Sequence, residues 1–290
     1  MNIRQPFRAG SFYEGAAGPC RRHAVKLQEA AELPDDLPEP LYGGLVPHAG
    51  WAYSGPLAAL TLKALATAGT PQTVVLFGSD HIGVAASGEL YDSGVWRTPL
   101  GDAAIDEELA AALLAGCGNV RANPAAHDRE HSLEIQVPLI QTILPAAKIV
   151  PLTVPPSPAA AQIGEAVGAV LAGIDRPVTI VGSTDLTHHG GHFGNWGGRH
   201  EEGVIWTERN DRRILDLIES MQAEQVVSEA AEHRNACGAG AIAAAVAACR
   251  KLGASRGICL AHTNSYRIVH ERYPADLDDT TVGYASVVFA

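Results

Sequence analysis

The segment Thr73-Val74-Val75-Leu76-Phe77-Gly78 carries four apolar residues in succession. No other feature limits the fold as much. A strand with one wet face alternates apolar and polar residues, whereas an unbroken run needs apolar cover on both faces, as in a parallel sheet sandwiched between helices. Further strands are expected over residues 41–47, 148–154, 178–182, 257–263 and 282–289. Helical patterns fall between them, over residues 56–68, 105–115, 132–144, 159–172, 204–220, 223–233 and 239–252. The stripe Leu133, Val137, Ile140, Leu144 marks the third of these helices, with Pro138 expected to bend it. This alternation predicts an α/β fold with a central, mostly parallel or mixed sheet flanked by helices. No linker divides the chain, so one domain over residues 1–290 is expected. The Pro-rich residues 151–158 read as a rigid turn, and the Gly-rich residues 190–198 as a flexible loop over a cleft.

The polar residues that follow these apolar runs carry the functional signal. Pro47-His48-Ala49-Gly50, Gly78-Ser79-Asp80-His81 and Asp185-Leu186-Thr187-His188 each stand just past an expected strand. In an open α/β sheet, ligands bind outside the carboxyl ends of parallel strands. Imidazole, carboxylate and thiol gathered there suit a transition metal. Asn235-Ala236-Cys237-Gly238 precedes the Ala-rich helix, with Asn235 a candidate cap. A helix N-terminus would favour thiolate at Cys237, while a small apolar residue tucked under the helix is the plainer reading. Glu130-His131-Ser132-Leu133-Glu134 reads as a helix start, placing His131 and Glu134 on one face. That pair is open to three readings: two ligands, a base with its orienting carboxylate, or a surface contact. His127 and Asp128 add polar density, and His189 and His192 are spare donors in the Gly-rich loop. His23, His200, His233, His262 and His270 have no supporting context and read as structural.

Composition narrows the function classes. With 32 acidic and 21 basic residues the net charge is −11, and no block of five Lys/Arg occurs, which argues against nucleic acid and anionic membranes as partners. The N-terminal residues lack a signal-peptide pattern, and the longest apolar stretch, residues 236–249, is shorter than the roughly 20 residues of a membrane span. A soluble, cytoplasmic protein is expected. The five cysteines contain no C-x-x-C pair, so neither a zinc ribbon nor a disulfide framework is indicated, and all but Cys237 read as buried thiols. There is no G-x-S-x-G elbow, Walker loop, G-x-G-x-x-G or H-E-x-x-H. Ser79 and Ser183, close to histidines and aspartates, keep a serine hydrolase among the readings.

Several motifs together resemble the Memo family. They are Arg4-Gln5-Pro6 with Ala9-Gly10-Ser11-Phe12-Tyr13, Pro47-His48-Ala49-Gly50 with Tyr53-Ser54-Gly55, His81, Glu130-His131-Ser132-Leu133-Glu134, Asp185-x-x-His188 and Cys237-Gly238. Bacterial and archaeal members are called AmmeMemoRadiSam system protein B, which implies AMMECR1-like and radical-SAM protein partners. The resemblance implies a fold similar to class III extradiol dioxygenases and a metal site of His48, His81 and Cys237. Asp185 would orient a ligand or bound water, and His188 and His131 would transfer protons. Iron(II) or copper is the implied metal, with zinc also compatible. The dioxygenases complete their iron site with a carboxylate where this pattern has Cys237, and a thiolate favours softer or more reducing metal centres. Redox or oxygenase-type chemistry on an unknown small molecule or peptide is therefore expected. The alternatives are a (phospho)peptide or anion-binding module in the same cleft, or a metal-dependent hydrolase. Phe12, Tyr13, Trp51, Tyr53 and Trp196 are candidate cleft aromatics or core.

Overall fold

The computed structural model describes residues 2–272 and 279–290. The elements run β1 (Ile3–Arg4), α1 (Ala17–Ala30), β2 (Gly43–Val46), α2 (Trp51–Thr67), β3 (Thr73–Gly78), β4 (Gly88–Leu90), β5 (Val95–Thr98) and β6 (Gly101–Ala104). Then follow α3 (Glu107–Gly116), β7 (Val120–Ala122), α4 (Val137–Ile143), β8 (Lys148–Thr153), α5 (Ala160–Leu171), β9 (Val178–Ser183) and β10 (His188–His189). The chain closes with α6 (His200–Glu219), α7 (Ala223–His233), α8 (Ala239–Leu252), β11 (Gly257–Asn264), α9 (Ser265–Arg272) and β12 (Thr281–Phe289).

The main sheet has the order β10-β12-β2-β9-β3-β8-β4-β7, with β11 also pairing β12. Its centre, β2-β9-β3-β8, is parallel throughout, while β12 and β4 join it antiparallel, so the sheet is mixed. In β3, Val75 and Phe77 enter the core shared with α5 and α8, whereas Val74 and Leu76 enter the core shared with α1, α2 and α4. The unbroken apolar run thus serves both faces. Helix α8 is buried along Ala239–Cys249, between the sheet and α5. Small residues make this possible: a Cβ on Gly164 of α5 would lie 2.1 Å from the Ala244 carbonyl oxygen.

Two expectations need correction. The helix expected over residues 132–144 begins only at Val137, after a single 3-10 turn at Glu134–Gln136, and Pro138 sits in its first turn, where its missing N–H costs nothing. The helix after His48 starts at Trp51 and not near Pro56. The Trp51 N–H donates to the Phe12 carbonyl and its indole to that of Ile135, which pins the first turn. A separate three-stranded sheet, β1-β5-β6, was not foreseen. Its strands have two to four residues, too short for a periodic signal. Among the described residues no helix is long and apolar enough to cross a membrane.

Candidate metal centre

The parallel register sets the site. Val46 pairs with Ser183 and Gly78 with Thr153, so β2, β3, β8 and β9 end together and release their loops on one edge. His48 and Asp185 each lie two residues past that pair. The Asp185 carboxylate accepts the backbone N–H groups of His48 (2.6 Å) and Ala49 (3.2 Å), locking the two loops together. Cys237 arrives from the α7–α8 connection. Gly238 lets that connection press onto the end of β9: a Cβ there would lie 2.6 Å from both the Ser183 carbonyl and the Ser79 hydroxyl.

His48, His81 and Cys237 therefore converge, with one ligand atom from each within 4.8 Å of the others. The hydrogen bonds behind the two imidazoles fix their tautomers. The Ser183 hydroxyl donates to the Ser132 carbonyl (2.7 Å), so at His48 Nδ1 (3.1 Å) it can only accept. His48 Nδ1 thus carries the proton and Nε2 turns its lone pair toward Cys237 Sγ, 3.1 Å away. His81 Nδ1 lies 2.9 Å from the acceptor-only carboxylate of Glu130, which leaves His81 Nε2 for the cluster. Metal-binding histidines are held in this way, the distal nitrogen donating to a carboxylate, carbonyl or other fixed acceptor. A tetrahedral ion with ordinary bond lengths would space nitrogen and sulfur by about 3.5 Å. His48 Nε2 and Cys237 Sγ, at 3.1 Å, need to part only slightly to meet that spacing.

Charge is arranged around the same point. Burial and the neighbouring His81 push the His48 pKa well down. Burial acts the same way on His81, but the hydrogen bond and charge of Glu130 outweigh it and raise its pKa. Burial opposes ionisation of Glu130 too, yet its bonds to His81 and to the N–H groups of His81, His131 and Ser132 hold it well below the carboxylate range. Burial and the nearby Asp185 carboxylate push the Cys237 thiol up. Burial likewise raises Asp185, with His188 acting against it.

Sequence reasoning placed His48, His81, Cys237 and Asp185 at one locus, and the structure brings all four together. His131 joins them, its ring stacked on that of His81 at 4.6 Å, and its pKa is held down to about 3 by burial and by His48 and His81. His188 donates from Nδ1 to the Leu186 carbonyl (2.9 Å), packs edge-on against Phe193, and its charge is felt at Asp185 and His48. Glu134 is not part of the site. Because the chain is not yet helical at residue 131, its side chain points away, onto Arg4 and the N-terminal segment. Asn235 is no cap: its amide donates to the Asn210 carbonyl and to Glu229. Ser79 and Ser183 are buried and hydrogen-bonded, closed to a substrate carbonyl. Glu130 was missed, although its place beside His131 was the available signal. With His81 and His131 it forms a second set of potential donors.

A cavity of about 570 Å³ opens beside the cluster. Its walls include Phe12, Tyr53, Phe193, Tyr266 and Tyr284, with no charged side chain among the lining residues. Phe12 meets the His131 ring edge-on at 5.2 Å. Tyr13 and Trp51, by contrast, are core residues, and Trp196 lies in a separate pocket with Trp206.

A family model described as Memo-like protein matches residues 4–288. A MEMO1 family protein of Methanopyrus kandleri is 33% identical, the alignment covering 99% of this chain and 98% of that protein. A MEMO1 family protein of Methanothermobacter thermautotrophicus is 33% identical over 98% of this chain and 99% of its own length, and one of Thermococcus onnurineus 31% identical over 99% of each.

Proposed function

The chain belongs to the Memo family, and on that premise we propose a metal-binding protein with redox or oxygenase-type chemistry, its ion held by His48, His81 and Cys237. One observation carries the reading: two imidazoles from different loops, each with Nδ1 fixed by a buried acceptor, converge with one thiol, His48 Nε2 lying 3.1 Å from Cys237 Sγ. This donor set is soft enough for copper(I) or zinc and also accommodates iron(II).

Bound there, iron or copper would supply electron transfer or oxygen chemistry. Asp185 positions the His48 loop through its two N–H groups. Glu130 orients His81 and balances its charge. His131, with its pKa near 3, stays neutral at physiological pH and offers a hydrogen bond to a bound molecule. His188, with Nδ1 engaged on a carbonyl, keeps Nε2 for proton transfer. The aromatic cavity offers a substrate about 570 Å³ beside the cluster. Placement of the site at the carboxyl edge of the parallel strands supports likeness to the class III extradiol dioxygenase fold. Cys237 in place of a carboxylate argues against ring cleavage, because oxygen can oxidise the thiolate itself.

The test is metal content after anaerobic purification without chelator and reconstitution with iron(II) or copper(I). About one ion per chain is expected, lost in a His48→Ala/His81→Ala/Cys237→Ala variant. No uptake, or equal uptake by the variant, overturns the reading. Zinc uptake alone, with hydrolysis of simple esters, would assign the site to a hydrolase.

A further inference from the structure

A second cavity, of about 540 Å³, shares no lining residue with the metal cluster or the aromatic cavity. Trp206, Arg209, Asn210 and Arg213 stand three and four residues apart on α6, so one face of that helix forms its floor. The end of α7 adds Glu232, His233 and Arg234, and the Gly-rich loop adds Trp196. The loop is built onto α6: the Gly197 N–H donates to His189 Nε2 (3.2 Å), and a Cβ on Gly197 would collide with the Trp206 ring. Three guanidinium groups thus face one carboxylate in the lining of a chain whose net charge is −11. Arg213 is engaged, donating to Glu229 (2.7 Å) and to His233 Nε2 (2.6 Å). Arg209 and Arg234 are exposed and have no carboxylate partner among the described residues. Arg234 is the sharper signal. It caps α7 at φ 54° and ψ 39°, in the left-handed region where glycine is the usual residue. Glycine would serve that helix end without strain, so what arginine adds there is its side chain. That side chain lies over Trp196, Cζ 4.4 Å from the ring centroid, at the cavity wall.

We infer that this cavity is a second ligand site and takes a phosphate monoester with a flat ring: Arg209 and Arg234 meet the phosphate, and the indoles of Trp196 and Trp206 take the ring. Guanidinium forks match phosphate oxygens, and two unpaired positive charges match a dianion, where a monocarboxylate would leave one unanswered. Indole faces stack flat rings, and Trp196, 52% exposed, leaves apolar surface open for one.

Adenosine monophosphate is the probe, titrated calorimetrically into the full chain, with adenosine and inorganic phosphate as comparators. The monophosphate binds, and adenosine binds at least about tenfold more weakly, because it lacks the charge-assisted pairs. Inorganic phosphate also binds more weakly, and Trp196→Ala lowers affinity for the monophosphate but not for phosphate. Arg209→Ala and Arg234→Gly each weaken the monophosphate by about tenfold or more. Arg234→Gly removes the guanidinium and the left-handed strain together, so its melting temperature holds or rises and the lost binding is not a folding defect. Unchanged monophosphate binding in both arginine variants overturns the inference, as does parity of adenosine with the monophosphate, or no binding at millimolar monophosphate. Parity of inorganic phosphate with the monophosphate overturns the placement of the ring on the indoles. Metal content stays at the parent level in all three variants, so this inference and the metal-site reading stand or fall separately.

Discussion

Two buried polar clusters draw their members from distant parts of the chain, and they differ in what is left over. In the first, Glu134 receives the Arg4 guanidinium (2.9 Å), the N–H groups of Phe7 and Arg8, and the Tyr13 hydroxyl. Arg4 also donates to the carbonyls of His127 and Glu130, both at 2.8 Å. The carboxylate's acceptor sites are taken, and the cluster ties the N-terminal segment to the loop before α4. In the second, the outward nitrogens of His48 and His81 are fixed by acceptors, and Cys237 Sγ, with the Asp185 backbone behind it, faces His48 Nε2 at 3.1 Å, with a donor atom of His81 within 4.8 Å. A network that consumes its own lone pairs is structural. One that secures its periphery and leaves convergent donors is prepared for a ligand.

The largest effect should come from removing an inward donor. Cys237→Ala or His48→Ala should lower metal affinity by at least about 100-fold, since each deletes a direct ligand. Metal-free stability should change far less. Titration of metal into each variant, alongside urea unfolding of the metal-free proteins, checks both halves. A variant that unfolds but still binds metal would erase the contrast between the clusters.

The Arg4–Glu134 cluster should respond the opposite way. Glu134→Ala leaves the buried Arg4 guanidinium uncompensated, which costs about 3–5 kcal/mol of stability. Metal affinity of the folded fraction should be little altered. The urea midpoint reads the first quantity and equilibrium dialysis at low urea the second.

Next comes a pH effect on the same cluster. Burial holds the His127 pKa down to about 4, and its carbonyl accepts from Arg4. The ordinary histidine value is about 6.5, so below that pH the unfolded chain takes up a proton that the folded one refuses. Stability from this group is therefore full above pH 6.5 and falls as pH drops toward 4, by about 3 kcal/mol in all. His127→Gln should flatten that part of the stability–pH curve, measured by urea unfolding between pH 4 and 7. An unchanged slope would mean that His127 is not held neutral.

How much of this was legible in the sequence follows from the range of the forces involved. The apolar run in β3 and the Ala-rich α8 announced the layered sheet, because burial on two faces leaves a local signature. His48, His81 and Asp185 were legible because each follows a strand by a few residues, and parallel register then places them on one edge. Glu134 was not legible. Spacing along the chain put it beside His131, but the backbone becomes helical only beyond Leu133, and its partner Arg4 lies 130 positions away.

Glu130 sits between the two regions and gives the finest test. Its carboxylate holds His81 in the metal cluster, while its backbone carbonyl accepts from Arg4 in the other. Glu130→Gln keeps the backbone, and so the Arg4 contact, but removes the negative charge from His81. Loss of a carboxylate behind a metal-binding histidine costs about 10- to 100-fold in affinity. Metal binding should therefore weaken by that factor, less than for Cys237→Ala, with an unfolding midpoint much closer to the parent than that of Glu134→Ala. If instead stability falls as far as in Glu134→Ala and affinity holds, Glu130 belongs to the N-terminal clamp, and His81 keeps its orientation without it.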